Sequence, residues 1–325
     1  MSNQQIITIN QTALPALITQ EGDRAAHRFM EFFAAQIRNP NTREAYARAV
    51  GRFLSWCDEQ GITLSAIEPI AVAAYIELLQ KQLSSPTVKQ HLAAIRMCFD
   101  WLVTGQIIPM NPASSVRGPK HVVKKGKTPV LDGDAASALL NSISIGSPED
   151  PDLVGLRDRA LIGTMTYSFA RISAAISLDV SDYYHNGRRG WLRLAEKGGK
   201  HHEVPCHHSL EELLDAYITA AGLEESKGPL FRTAFGRTGR LTENRMDRSA
   251  AWYMIKRRAK NSGTPLPPGI CNHTFRGTGI TAYLANDGQL EHAQQIAAHE
   301  SARTTKLYDR RADEITLDEI EKIRL

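Results

Sequence analysis

The stretch His299-Glu-Ser-Ala-Arg-Thr-Thr-Lys-Leu-Tyr308 decides how this chain is read, together with His273-Thr-Phe-Arg276 shortly before it and Arg171 farther upstream. A phenol is a poor nucleophile at neutral pH, because a pKa near 10 puts deprotonation about 3 units, roughly 4 kcal/mol, uphill. It becomes useful inside a cationic, hydrogen-bonding cage that also neutralises a phosphodiester. The residues quoted can supply one. Arg171 and Arg276 can grip two non-bridging oxygens as guanidinium forks, a geometry lysine does not reproduce. His273, three residues before Arg276, shares its helical face and can accept the phenolic proton or support a phosphate oxygen.

The order and spacing of these residues resemble the tyrosine recombinase (phage integrase) family, of the Cre and Xer type. That family's pattern is an arginine, a lysine on a β-hairpin, His-x-x-Arg, a histidine or tryptophan, and a tyrosine nine residues later. Here Arg171 sits in Phe169-Ala-Arg-Ile-Ser173 and Lys197 in Glu196-Lys-Gly-Gly-Lys200; His273-Thr-Phe-Arg276 follows, and Tyr308 comes nine residues after His299. Each motif alone arises easily by chance, but all of them in order are specific.

The resemblance implies an enzyme that cuts and rejoins DNA at a specific site, in integration, excision or resolution of a mobile element. Tyr308 would be the nucleophile and form a 3′-phosphotyrosyl bond. Lys197, rather than the nearby Lys200, would protonate the leaving 5′ oxygen, and His299 would donate a hydrogen bond to the scissile phosphate. Bond energy is kept, so no cofactor is expected. The implied partners are double-stranded DNA with a recombination site and a homo-tetramer on synapsed DNA, with accessory proteins left open. In the family a C-terminal helix docks on the neighbouring protomer, and Ala312–Leu325 has the amphipathic pattern for it.

Three departures from the pattern stand out. The family often has Ile-Ser-Glu after its first arginine, where this chain has Ile172-Ser173-Ala174, so an acid expected to brace the site is missing. Gly277 replaces a common histidine, and Ala297-Ala298 replaces Leu-Gly before the last histidine. These changes spare the reacting groups. Two other readings follow: a DNA-binding regulator on a catalytically weakened recombinase scaffold, and an enzyme like a type IB topoisomerase.

A chain of 325 residues exceeds the usual size of one domain, so two are expected. The cysteines, Cys57, Cys98, Cys206 and Cys271, are scattered and suggest no disulfide framework. The start, Met-Ser-Asn-Gln-Gln, lacks a secretory pattern, and no apolar run reaches membrane-span length. The expectation is a cytoplasmic, nucleoid-associated protein with no membrane partner. Net charge is only +4, so distribution says more. No Asp or Glu falls between Trp101 and Leu131, whereas Arg117, Lys120, Lys124, Lys125 and Lys127 do. Such a segment can lie along a phosphate backbone.

The expected architecture is mainly α (α+β). Residues 1–24 read as a flexible lead-in, 25–116 as a helical DNA-binding (core-binding) domain, 117–128 as a basic linker and 129–325 as a mostly helical catalytic domain with a small antiparallel sheet. Asn41 with Glu44 predicts a helix start, followed by Tyr46, Val50, Phe53 and Leu54 at helical spacing. Ser85-Pro86 predicts another, with Val88, Leu92, Ile95, Phe99 and Leu102 on one stripe and Lys89 and Arg96 on the other side as candidate DNA contacts. Candidate DNA contacts elsewhere are Lys120, Lys124, Lys125, Lys127 and Lys200. Helices are predicted over 133–143, 153–166, 210–221 and 242–260. Strands over 190–195 and 202–206 would form a hairpin around Lys197-Gly-Gly-Lys200. His201, His202, Cys206, His207 and His208 crowd together, but strand alternation turns neighbours to opposite faces and no second cluster accompanies them. No metal site is expected there.

Overall fold

The computed structural model describes residues 14–121, 126, 128–196 and 200–309, with the side chain of Lys200 excepted. Lys124, Lys125, Lys127, Lys197 and the amphipathic C-terminal stretch therefore lie outside the described residues. The chain divides into two compact units, residues 1–123 and 124–325.

Among the described residues the first unit is all helical: α1 (Ala16–Gln20), α2 (Asp23–Glu31), α3 (Pro40–Glu59), α4 (Pro69–Gln82) and α5 (Ser85–Thr104). The α5 stripe reads as expected, since Val88, Leu92, Ile95, Phe99 and Leu102 are all buried. They meet Phe53 and Leu54 of α3 and Tyr75 and Leu79 of α4 in one core. Burying a side chain of the size of Phe53, fully out of solvent, contributes about 2–3 kcal/mol.

Two starts differ from expectation. Helix α3 is capped by Asn39, not Asn41: the Asn39 side chain accepts from the backbone N–H of Asn41 and Thr42, with Pro40 opening the helix. Order also begins earlier than Asp23, because Leu17 and Ile18 on α1 are buried in the core. Five helical residues leave too short a window for periodicity to register.

The second unit is mixed. Its elements are α6 (Gly133–Asn141), α7 (Leu153–Tyr167), α8 (Ile172–Ser177), β1 (Tyr183–Asn186), β2 (Arg189–Glu196), β3 (Lys200–Pro205), α9 (His208–Ala220), β4 (Arg232–Ala234), β5 (Leu241–Arg245), α10 (Arg248–Asn261), α11 (Asn272–Ala285), α12 (Leu290–Ile296) and α13 (Ala302–Lys306). The mainly α, α+β expectation holds. Strands β1, β2 and β3 form an antiparallel sheet in that order, and β4 pairs with β5 in a second one. Residues 242–245, expected as helix, belong to β5, and α10 starts only at Arg248, where Asp247 accepts from the N–H of Ala250.

Helix α7 lies at the centre, packed against α9 and α11. Its residues are buried nearly all round, polar Arg157, Asp158 and Thr164 among them. Its approach to α11 is set by Gly279, where a Cβ would fall 1.8 Å from the Thr166 carbonyl oxygen. One buried acid also ties this unit together. Asp158, wholly enclosed, receives Arg157 Nη2 at 2.6 Å, Arg257 Nη2 at 3.0 Å and Arg258 Nε at 2.8 Å. Among the described residues no helix is long and apolar enough to cross a membrane.

Candidate active site

Five of the six expected catalytic side chains converge in the second unit, and the sixth, Lys197, lies outside the described residues. Helix α11 sets two of them. His273 and Arg276, three residues apart, project from one face. Arg171 caps α8 in extended conformation after the turn 168–170. His299 follows α12, and the single turn of α13 brings Tyr308 back so that the two rings lie 6.1 Å apart and nearly parallel.

The Tyr308 hydroxyl is 2.7 Å from His273 Nε2. Burial raises the phenol's pKa, while Arg276 and Arg171 pull it down. Burial, then Arg276 and Arg171, hold His273 below the ordinary imidazole value. Phenol protonated and imidazole neutral, the O–H donates to Nε2. His273 is thus the acceptor already seated on the tyrosine proton.

Tyr308 is buried although its sequence neighbours are charged. It is only 8% exposed and packs with Phe169, Ile280, Leu284, Ala293 and Ala297. Its backbone carbonyl accepts from Thr281 Oγ1 at 3.1 Å.

Arg276 is fully buried. One Nη donates to the Phe169 carbonyl; the other lies 2.6 Å from the Ala297 carbonyl and 2.7 Å from His299 Nε2. Its Nε has no hydrogen-bond partner among the described residues. Burial and the neighbouring Arg171 push its pKa down to about 10, against the opposing pull of Glu196, so it stays charged at neutral pH.

A guanidinium only donates, so His299 Nε2 must be the acceptor and the ring proton sits on Nδ1, 2.9 Å from Thr305 Oγ1. His299 is pushed down to about 3 by burial and by Arg276, Arg171 and His273, and is neutral. In this arrangement Nε2 has no hydrogen to give a phosphate, unlike the expectation.

Glu196 is the site residue that motif reading missed. Its carboxylate pairs with Arg171 Nη1, lies 3.4 Å from the Arg171 backbone nitrogen and 3.8 Å from Arg276 Nη1. A signal was present in the sequence. Along β2 the buried face runs Leu192, Leu194, Glu196, and a carboxylate on a buried face calls for a cationic partner.

The expected DNA-binding residues fare differently. Lys89 and Lys120 are exposed. Arg96 instead holds the loop after α5, with Nε donating to the Ala113 carbonyl at 3.0 Å and Nη2 to that of Val116. Lys200 opens β3 opposite Glu196. In the histidine-rich stretch, His202 Nε2 is 3.2 Å from the Ile296 carbonyl, and His207 stacks on Tyr167. No three potential ligands converge among the described residues.

Residues 129–314 match the phage integrase family, and residues 27–106 match the phage integrase N-terminal SAM-like domain. The chain belongs to the phage integrase family. It is 31% identical over 236 residues to tyrosine recombinase XerC of Chlamydia muridarum, covering 72% of this chain and 69% of that protein. It is 25% identical over 271 residues to tyrosine recombinase XerD of Listeria monocytogenes, covering 82% and 87%. Its fold is similar to that of XerH site-specific recombinase bound to palindromic difH, with a TM-score of 0.68 at 15% identity over 95% of this chain and 89% of that one. It is also similar to lambda integrase in a dimer bound to a COC′ core site, with a TM-score of 0.66 at 16% identity over 90% and 79%. Membership makes this chain a recombination enzyme, one that cleaves and rejoins DNA.

Proposed function

We propose that this protein is a site-specific recombinase working through a 3′-phosphotyrosyl intermediate, with Tyr308 as nucleophile. The observation that carries the proposal is the 2.7 Å hydrogen bond from Tyr308 to a neutral His273, beside two arginines. The Tyr308 oxygen attacks the scissile phosphorus while its proton passes to His273 Nε2. Arg171 and Arg276 neutralise charge on the non-bridging oxygens. The bond from phosphorus to the 5′ oxygen breaks, and Lys197 gives that oxygen a proton. A 5′-hydroxyl from a second strand then reverses the step, regenerating the phenol.

The helical unit and the basic segment 117–128 complete the grip on duplex DNA, with exposed Lys89 and Lys120 on phosphates and Arg96 serving the fold. Recombination proceeds in a homo-tetramer on two synapsed sites, in the movement or resolution of a mobile element. A lambda integrase tetramer bound to a Holliday junction, similar in fold, supports that assembly.

The test is to mix the protein with fragmented DNA from its source, denature it, and recover the fragments that stay attached. Attached ends clustered at one sequence are the expected result. Scattered ends would mean a topoisomerase, and binding with no attachment, even on nicked duplexes, would mean a regulator.

A further inference from the structure

We infer that Glu196 is a positioning residue for the cleavage reaction, taking over from the other side of the site the bracing task of the acid that is absent at position 174. The inference rests on the reading of Arg171 and Arg276 as phosphate-binding groups. Its own basis is geometric. Two guanidiniums lie side by side, one of them fully buried, and both find their carboxylate in Glu196, whose side chain is only 1% exposed. The other partners of Arg276 are neutral: two carbonyls and an imidazole. Without Glu196 two like charges would face each other in a region poor in water, which disfavours their approach to any shared ligand.

Position 174 carries no acid. Ala174 on α8 is fully buried in the apolar core of the unit. Glu196 arrives from the end of β2 and leaves Arg171 usable. It engages Nη1 and the backbone nitrogen, while the Arg171 side chain stays 29% exposed. A guanidinium carries five N–H donors, so Nη2 and Nε can meet a phosphate while Nη1 remains held.

The experiment compares wild type, Glu196→Gln and Glu196→Asp in single-turnover cleavage of a nicked duplex bearing the sequence recovered above. DNA affinity and thermal midpoint are measured alongside. Glu196→Gln keeps the volume and loses the charge. Its first-order rate of adduct formation should fall about 100-fold, comparable to losing a group that orients transition-state charge, with Glu196→Asp in between. DNA affinity should stay within about 3-fold, because the arginines still bind the ground state.

A second substrate separates positioning from general damage. Replacing the scissile phosphate by a neutral methylphosphonate removes the charge that the arginines meet, and there the defect of Glu196→Gln should shrink to within about 5-fold. A variant that cleaves at the wild-type rate would overturn the inference. So would one that loses only the fraction of active protein, with a lowered thermal midpoint and the same defect on both substrates. Wild type forming no adduct on any nicked duplex would instead defeat the functional reading, and the inference with it.

Discussion

Lowering the pH from 7.5 to 5.5 should destabilise the second unit by about 1.4 kcal/mol through His299 alone. The residue is only 8% exposed, its Nε2 accepts from Arg276, and burial with the nearby cations pushes its pKa down to about 3. In the unfolded chain the same imidazole has an ordinary value near 6.5. Below that value the unfolded chain takes up a proton that the folded one refuses. The contribution is therefore intact above about pH 6.5 and is lost as pH falls toward the folded value. At pH 5.5 the loss is RT ln(1 + 10), about 1.4 kcal/mol, and it hardly depends on the folded pKa so long as that lies well below 5.5. Urea melts of wild type and His299→Gln at both pH values measure it, in the transition that the substitution moves. Other groups titrate alike in both proteins and cancel, so wild type should lose about 1.4 kcal/mol more than the variant. Equal losses would refute the reasoning.

Two further outcomes follow from backbone and charge. Ala298 has φ +45°, a left-handed conformation that L residues avoid, so Ala298→Gly should stabilise the protein by about 1 kcal/mol in the same melts. Asp158→Asn removes the charge that holds three arginines, one of them 3% exposed, and should cost about 3 kcal/mol or more, read as a fall in the urea midpoint.

Much of the site was legible because its residues are set by local spacing. His273 and Arg276 are three apart on one helix, and the nine residues from His299 to Tyr308 are spanned by α13 and its turns. Arg171 was recognisable only as part of the ordered set, since its place beside Arg276 is made by tertiary packing. Glu196 is not legible beside Arg171 in the sequence, because the sheet delivers it from β2. The depth of Arg276 and Tyr308 was hidden for a similar reason: their partners come from the turn before Arg171 and the end of α12, and no local pattern encodes such burial. In the fold, the long stripe of α5 announced itself, while α1 and the polar strands β4 and β5 were too short to impose a period.

The most direct test of the central claim is to find the atom that carries the DNA. Protein is incubated with a nicked duplex of the recovered sequence, denatured and digested, and the nucleotide-bearing peptide is identified by mass spectrometry. The account predicts a single modified residue, Tyr308, and no adduct from Tyr308→Phe although it still binds the duplex. An adduct on any other residue, or one that survives in Tyr308→Phe, would contradict it.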